Sequence, residues 1–274
     1  MTGISELFSP AAMHYIVPAL VGGIAVAVCA ALLGVTLVLR RYAMIGDGLS
    51  HVGYGALCVA SVMQLTPLYI AVPVVLAAAF ILLGMSESGK LKGDNGIALF
   101  STTAMSIGII VSSKARLTND VSHYMFGSIL ALDKGDVILC VVTAVVVTGA
   151  FLLLYNRIFT VTFDESFSRA TGIPVKAYNM VIAALTAITI VMGMMLMGTL
   201  LISSLIVVPT LSAMRLCRGF RGVVIGAVSL SVGCFVLGFF IAVILDLTPG
   251  ACVVVTNVVV YLLCSLVSWI KGAE

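Results

Sequence analysis

The stretch LRRYAMIGDGLSHVGYG, residues 39–55, places two ionisable side chains, Asp47 and His51, within an otherwise apolar part of the chain. Ionisable groups inside a membrane are costly, and they normally face a partner group or a water-filled cavity. The i, i+4 spacing puts both side chains on one face of a helix, about one turn apart. The stretch therefore predicts a membrane helix with one polar face.

The composition agrees with a membrane protein. The 274 residues are 62% hydrophobic and 9% charged, with a mean hydropathy of +1.25, which lies outside the range of soluble domains. Runs long enough to cross a bilayer as helix recur along the chain, and we place nine of them at residues 16–39, 47–64, 68–86, 96–112, 136–155, 178–197, 199–216, 222–245 and 250–270. Eight spans are also compatible. The prediction is an all-α, polytopic integral membrane protein with eight or nine transmembrane helices, forming one domain over residues 1–274.

The positions of the basic residues predict the orientation, because Lys and Arg accumulate in cytoplasmic loops. With the N-terminus outside, nine spans put the C-terminus in the cytoplasm. Eleven basic residues then face inward: Arg40, Arg41, Lys90, Lys92, Arg157, Arg169, Lys176, Arg215, Arg218, Arg221 and Lys271. Three face outward: Lys114, Arg116 and Lys134. This inner rim explains the net charge of +3 without a nucleic-acid partner.

The N-terminal region has no positively charged segment of the kind that begins a signal peptide, since residues 1–39 contain no Lys or Arg. His14 stands alone among apolar residues there, and we expect an interfacial helix to carry it. The seven cysteines lie within or beside apolar spans and lack Cys-x-x-Cys spacing, so they are interpreted as small packing residues.

Two interpretations of Asp47 and His51 remain open from the residues alone. Carboxylate oxygen and imidazole nitrogen are ligands shared by Zn²⁺, Mn²⁺ and Fe²⁺, and one helix presents only two of them to an ion. A second copy of the chain would supply the same pair across a two-fold axis. Alternatively, Asp47 caps the second helix and His51 is a hydrogen-bonded core residue.

Two further motifs are weaker. His123 and Asp120, three residues apart in NDVSHYMFGSIL (residues 119–130), lie on the predicted outer side, where they either assist access of a metal ion or are simply solvated. The segment GMSESGKL, residues 84–91, has the glycine and lysine spacing of a phosphate-binding loop. It lacks the Ser or Thr after the lysine and any βαβ context, so no nucleotide site is predicted.

On the predicted inner side, TVTFDESFSRATGIPVK (residues 160–176) interrupts the apolar pattern. Thr162 and Glu165 have the spacing of a capping box, Gly172 suits the position after a helix, and Pro174 follows it. A short helix of about two to three turns is therefore expected. Such a helix either transmits force from a soluble partner or is a solvated connector.

Taken together, these motifs resemble a known family. The segments LLGVTLVLRRYAMIGDGLSHVGYGAL (32–57), HYMFGSIL (123–130), FDESFSRATGIPV (163–175), MGTLLISSLIVVPTLSAMRL (197–216) and LDLTPGACVVV (245–255) are similar, in order and spacing, to the membrane permease subunits of bacterial ABC importers for zinc, manganese or iron(II). The likeness covers nearly the whole chain. One departure is Gly48, where family members often carry Ala.

The resemblance implies a function and a set of partners. Asp47 and His51 would coordinate the transported Zn²⁺, Mn²⁺ or Fe²⁺, with no permanently bound cofactor. The helix at about 163–171 would be a cytoplasmic coupling helix that seats in an ATPase subunit, and its contact residues would be Asp164, Glu165, Ser168, Arg169 and Gly172. The chain would work in the bacterial plasma membrane, among its lipids, as a homodimer with two separate ATPase chains and an extracytoplasmic metal-binding protein. It would not itself be an enzyme.

Two other classes of protein fit the residues less well. In a proton-coupled secondary metal transporter Asp47 and His51 would relay protons, but such folds usually repeat the broken helix in their second half, where only Ser203, Ser204 and Pro209 are available here. An intramembrane metalloprotease would need a fuller ligand set such as His-Glu-x-x-His within one chain, and the sequence has none.

Overall fold

The computed structural model describes residues 10–87, 94–115, 125, 127, 134–270 and 272. These residues form helices and no strands, which confirms the predicted fold class. In chain order the helices are α1 (Pro10–Leu39), α2 (Ala43–Val62), α3 (Pro67–Glu87), α4 (Asp94–Lys114), α5 (Lys134–Leu153), α6 (Tyr155–Phe163), α7 (Glu165–Ala170), α8 (Val175–Met197), α9 (Thr199–Leu216), α10 (Phe220–Leu245) and α11 (Pro249–Ile270).

The long apolar block before residue 216 is divided at Gly198. This residue has φ 84°, a left-handed backbone that glycine adopts without steric cost, and it separates α8 from α9. Nine described helices therefore have 18 or more residues, and eight of them are apolar enough to cross a membrane. The ninth is α2, which carries Asp47, His51 and four glycines.

Two predicted helix starts are wrong. The expected interfacial helix around His14 is part of α1, which runs unbroken from Pro10 to Leu39 with His14 exposed near its beginning. Likewise, α2 begins at Ala43 after Tyr42, so Asp47 is the fifth residue of the helix. Asp47 is therefore not the helix cap.

The core lies where α1, α2, α8 and α9 meet, and the other long helices surround them. Small residues let several of these helices approach closely. A side chain on Gly34 of α1 would collide with the carbonyl group of Ile206 in α9, and one on Gly55 of α2 would collide with the carbonyl group of Ala104 in α4. The closest partner of α2 is therefore α4. All seven cysteines are free thiols, five of them buried, as expected for packing residues.

The turn between α1 and α2 is a Schellman motif. The Tyr42 amide donates to the carbonyl oxygen of Leu37 over 2.7 Å, and the Arg41 amide donates to that of Val38 over 3.0 Å. Arg41 takes the left-handed position with φ 61°. This motif usually holds Gly or Asn there, so the chain accepts a strained residue to join α1 and α2 within three residues.

A short helix lies at the predicted place, but it has less than the predicted two to three turns and a different N-terminal cap. α7 spans Glu165–Ala170, and its cap is Asp164, whose carboxylate accepts a hydrogen bond from the Phe167 amide over 2.8 Å. The capping box from Thr162 is wrong, since Thr162 lies inside α6 and its hydroxyl has no hydrogen-bond partner. Gly172, with φ 78°, ends α7 as predicted.

Candidate metal site on the second helix

Asp47 and His51 lie on the same face of α2. The Oδ2 atom of Asp47 is 3.6 Å from the Nε2 atom of His51. That separation is too long for a good hydrogen bond. It suits two ligands of one ion, because atoms bound at about 2.1 Å in a tetrahedral site lie about 3.4 Å apart. The pair is thus spaced to bind a common cation.

The face of α2 that carries the pair is the open one. Thirteen of the twenty residues of α2 are buried, yet the side chains of Asp47 and His51 are 44% and 27% exposed, and Met44 beside them is 44% exposed. The opposite faces are held by neighbouring helices. A side chain at Gly48 would press on Ile97 of α4, so the glycine at this position has a packing role.

Among the residues that the structure describes, Asp47 and His51 are the only potential ligands at this position. Within the described ranges, no third His, Cys, Asp or Glu joins Asp47 and His51 in a group that could hold a metal ion. His123 and Asp120, considered for metal access, lie outside the described residues. A complete site therefore needs ligands beyond those that the described residues bring together.

A second polar cluster, not recognised from the sequence as a site, lies at the junction of α1 and α2. The guanidinium of Arg40 donates to the amide oxygen of Asn179 in α8 and to the carboxylate of Glu165 in α7, the latter over 3.3 Å. It also lies 5.5 Å from the centre of the Tyr42 ring. The only sequence signal was the pair of arginines ending an apolar run, which does not indicate the partners.

The predicted coupling residues lie together around α7, with different exposure. Asp164, Arg169 and Gly172 are exposed, whereas Glu165 is partly covered by its contact with Arg40. Ser168 is buried, and its hydroxyl donates to the Asp164 carbonyl over 2.8 Å. Its side chain therefore holds α7 together and is not available to a partner in this structure.

Both ends of the bundle are consistent with the predicted loop positions. Arg40 and Glu165, both predicted to be on the inner side, meet at one end. At the end where α8 passes into α9, the hydroxyl of Thr199 lies 3.5 Å from the carbonyl oxygen of Met125, and Gly127 packs against Met197. These contacts join segments that the sequence placed on one side, without specifying which side faces the cytoplasm.

A bundle of long helices, eight of them apolar enough to cross a membrane, is the architecture of a polytopic membrane protein. Comparison with known proteins identifies the family. The profile of the ABC 3 transport family matches residues 12–268, and the chain belongs to this family of metal-ion ABC permeases.

Individual relatives agree with this assignment. The manganese import system permease protein ScaB of Streptococcus parasanguinis is 25% identical over 250 residues, which cover 91% of this chain and 89% of ScaB. The high-affinity zinc uptake system membrane protein ZnuB of Haemophilus influenzae is 26% identical over 247 residues, 90% of this chain and 95% of ZnuB. The solved structure of PsaBC from Streptococcus pneumoniae in complex with Fab shares the fold, with a TM-score of 0.82 at 24% identity, covering 92% of this chain and 91% of that chain.

Proposed function

We propose that this chain is the permease subunit of an ATP-driven importer for a divalent transition-metal ion, and that Asp47 and His51 are its contribution to the transport site. The observation that carries the proposal is their geometry: two ligand atoms 3.6 Å apart on the open face of a helix that is otherwise buried. Membership of the metal-permease family supports the same conclusion.

A second copy of the chain completes the site. Two-fold symmetry brings two such faces together and surrounds one ion with two carboxylates and two imidazoles. This arrangement suits the tetrahedral preference of Zn²⁺, and the two carboxylates neutralise the double positive charge of the ion. The exposed stripe of Met44, Asp47 and His51 would then face the partner across a translocation path.

The cargo is Zn²⁺, Mn²⁺ or Fe²⁺. The relatives include one named for manganese and one named for zinc, and oxygen and nitrogen ligands accept either metal. Affinity alone favours zinc over manganese at such a site. Selection between the metals therefore rests with metal availability and with the extracytoplasmic protein that delivers the ion.

ATP hydrolysis takes place on separate ATPase subunits. Their docking surface is the exposed side of α7, formed by Asp164, Arg169 and Gly172 with Glu165 behind them. The Arg40 and Glu165 contact puts α7 at the same end of the bundle as the basic turn after α1. The abundance of Lys and Arg there supports a cytoplasmic position for this end, with the N-terminus outside, in the bacterial plasma membrane.

The transport site is tested by replacing Asp47 with Asn and His51 with Leu in an importer reconstituted with its ATPase and binding protein. ATP-dependent uptake of manganese or zinc is expected to fall to background, because a ligand in the path serves transport more than folding. The matched controls are Asp246→Asn and His14→Leu, which change the same residue types away from α2 and should leave uptake intact. Normal uptake by both α2 variants would contradict the metal site.

A site shared by two chains also predicts the ratio of bound metal ions to permease chains. Metal analysis of the purified importer should find one ion for every two permease chains, with the ion lost in Asp47→Asn. One ion per chain would contradict the two-fold arrangement while leaving the ligand pair in place. Uptake that proceeds without ATP and stops when a protonophore is added would indicate a proton-coupled transporter instead.

A further inference from the structure

Arg40, which directly follows α1, is a buried charge with no part in the proposed metal site. The side chain of Arg40 is 8% exposed. A buried charge destabilises a protein unless it is paired and hydrogen-bonded. Here the pairing is supplied by two distant segments of the chain, Asn179 of α8 and Glu165 of α7. The position of Arg40 is thus held by elements that the linear sequence does not connect.

The carboxylate of Glu165 is shared between an inner and an outer arginine. Its Oε2 atom faces Arg40, and its Oε1 atom accepts a hydrogen bond of 2.6 Å from Arg169, whose side chain is 64% exposed. The ion pair between Arg40 and Glu165 joins α7 to the turn between α1 and α2. Any displacement of Glu165 therefore acts on Arg40.

Arg40 is in turn tightly connected to the start of α2. It is followed by the strained residue Arg41 and by Tyr42, the residue that precedes α2 and whose ring faces the Arg40 guanidinium. The Schellman hydrogen bonds hold this turn in one conformation. Asp47 follows on the second turn of the helix. A movement of Arg40 is thus passed to α2 without an intervening flexible segment.

The first turn of α2 also has space beside it. A cavity of about 20 Å³ lies at this junction, lined by Arg40, Tyr42 and Ile45 together with residues of α3 and α8. This is room for about one water molecule. A close-packed junction would resist a change of position, whereas this one leaves a gap next to the helix that carries the ligands.

We propose that Arg40 is a positioning residue that links the coupling helix to the metal-bearing helix through the Arg40 and Glu165 ion pair. This proposal rests on the function proposed above. It gives a role to Arg40, the first arginine of the segment RRYAMIGDGLSH (residues 40–51), in which four residues separate the two arginines from Gly46 and Asp47. When the ATPase moves α7, the displacement reaches Asp47 and His51 through Glu165, Arg40 and the turn at Tyr42. Arg40 contacts neither the ion nor the ATPase.

The test uses the complete importer in proteoliposomes, with Arg40→Gln compared with wild type. Four quantities are measured: ATPase bound to the purified permease, metal bound in the absence of nucleotide, the rate of ATP hydrolysis, and ions imported per ATP hydrolysed. The first two should be unchanged, because Arg40 reaches neither surface. Ions imported per ATP should fall about fivefold or more, the smallest effect typical of coupling between two sites.

Two further variants separate a coupling role from a folding role. Glu165→Gln removes the same ion pair from the other side, together with the pair between Glu165 and Arg169. The double variant Arg40→Gln/Glu165→Gln should therefore lose no more coupling than Glu165→Gln alone. Arg41→Gln is the matched control, since it removes one exposed positive charge from the same turn. It should import a normal number of ions per ATP.

The possible results are distinct. The positioning role would be overturned by any of three results. The first is an additive loss of coupling in the double variant, and the second is an unchanged number of ions imported per ATP in Arg40→Gln. The third is that Arg40→Gln loses bound ATPase as well as uptake. Failure of the proposed function is recognised separately, because the wild-type chain would then show neither ATPase association nor ATP-dependent uptake.

Discussion

The carbonyl oxygen of Ala104 in α4 lies so close to Gly55 in α2 that a side chain on Gly55 would collide with it. The backbones of the two helices therefore touch, one turn beyond His51. Gly108, one turn further along α4, completes the contact, since a side chain there would lie 2.7 Å from the Cα atom of Gly55. This close approach holds the helix that carries the ligand pair against a fixed neighbour.

Replacing Gly55 with Ala should therefore separate the two helices. We expect the permease to lose about 1–3 kcal/mol of stability, the usual effect of an additional methyl group in a packed interior. The measurement is thermal unfolding of the purified protein in detergent. Gly84→Ala is the control, because nothing lies within 4 Å of a side chain there and α3 should tolerate it. Equal stability of the two variants would contradict the close contact.

The left-handed residue in the turn before α2 supports a prediction of increased stability. Arg41 has φ 61°, a conformation that costs a residue with a side chain about 1–2 kcal/mol. Arg41→Gly should therefore raise the unfolding temperature, with the gain reduced by the greater freedom of glycine in the unfolded chain. Arg41→Val should lower it, because a β-branched side chain is least suited to this conformation. The reverse order of the two variants would contradict the assigned turn.

The cap of α7 distinguishes the structure from the simplest interpretation of the sequence. Asp164→Ala removes the acceptor of the Phe167 amide and should destabilise the short helix by about 1 kcal/mol. Thr162→Ala should have little effect, because the Thr162 hydroxyl has no hydrogen-bond partner. Hydrogen exchange at the amides of residues 165–170 measures the difference. Faster exchange in the Thr162 variant alone would support the capping box predicted between Thr162 and Glu165.

Docking of the ATPase on α7 is tested by charge reversal. Combining Glu165→Lys with Arg169→Glu keeps the i, i+4 pair within α7 but turns a positive charge towards Arg40 and a negative one outward. ATPase association, or uptake per ATP, should fall about fivefold or more, while metal binding at Asp47 is retained. Lys176→Glu, an exposed reversal nearby, should have a much smaller effect. If ATPase association and uptake per ATP both remain normal in the double variant, α7 is a solvated connector.

The long helices and the face of α2 were predictable because both depend on local pattern. Apolar length identified the spans, and an i, i+4 spacing is enough to place Asp47 and His51 together. The glycine at 198 was a visible break, although its effect on the number of spans became clear only from its backbone conformation. The shared site across two copies stays a prediction.

The errors have two physical origins, a local turn conformation and contacts between distant residues. Asp47 in a Gly-Asp-Gly context is typical of a helix start, but the turn at Arg41 starts α2 four residues earlier. Likewise, α6 continues through Thr162 to Phe163, whose ring packs 5.9 Å from that of Phe220. The partners of Arg40 lie 125 and 139 residues away, a pairing that no local pattern reveals.

The unusual polarity of α2 has a consequence for biogenesis. A helix leaving the ribosome meets the lipid before its later neighbours exist, and an Asp within a span opposes insertion, by roughly 2.5–3.5 kcal/mol when it lies at the centre of the helix and by less near an end. The three-residue turn after α1 joins α2 to a strongly apolar helix, so the two can enter the membrane together as a hairpin. Its permanent neighbour α4 is synthesised only later. Until then the ligand-bearing helix is the segment most exposed to membrane quality control, and a chain that stops after α2 should be degraded.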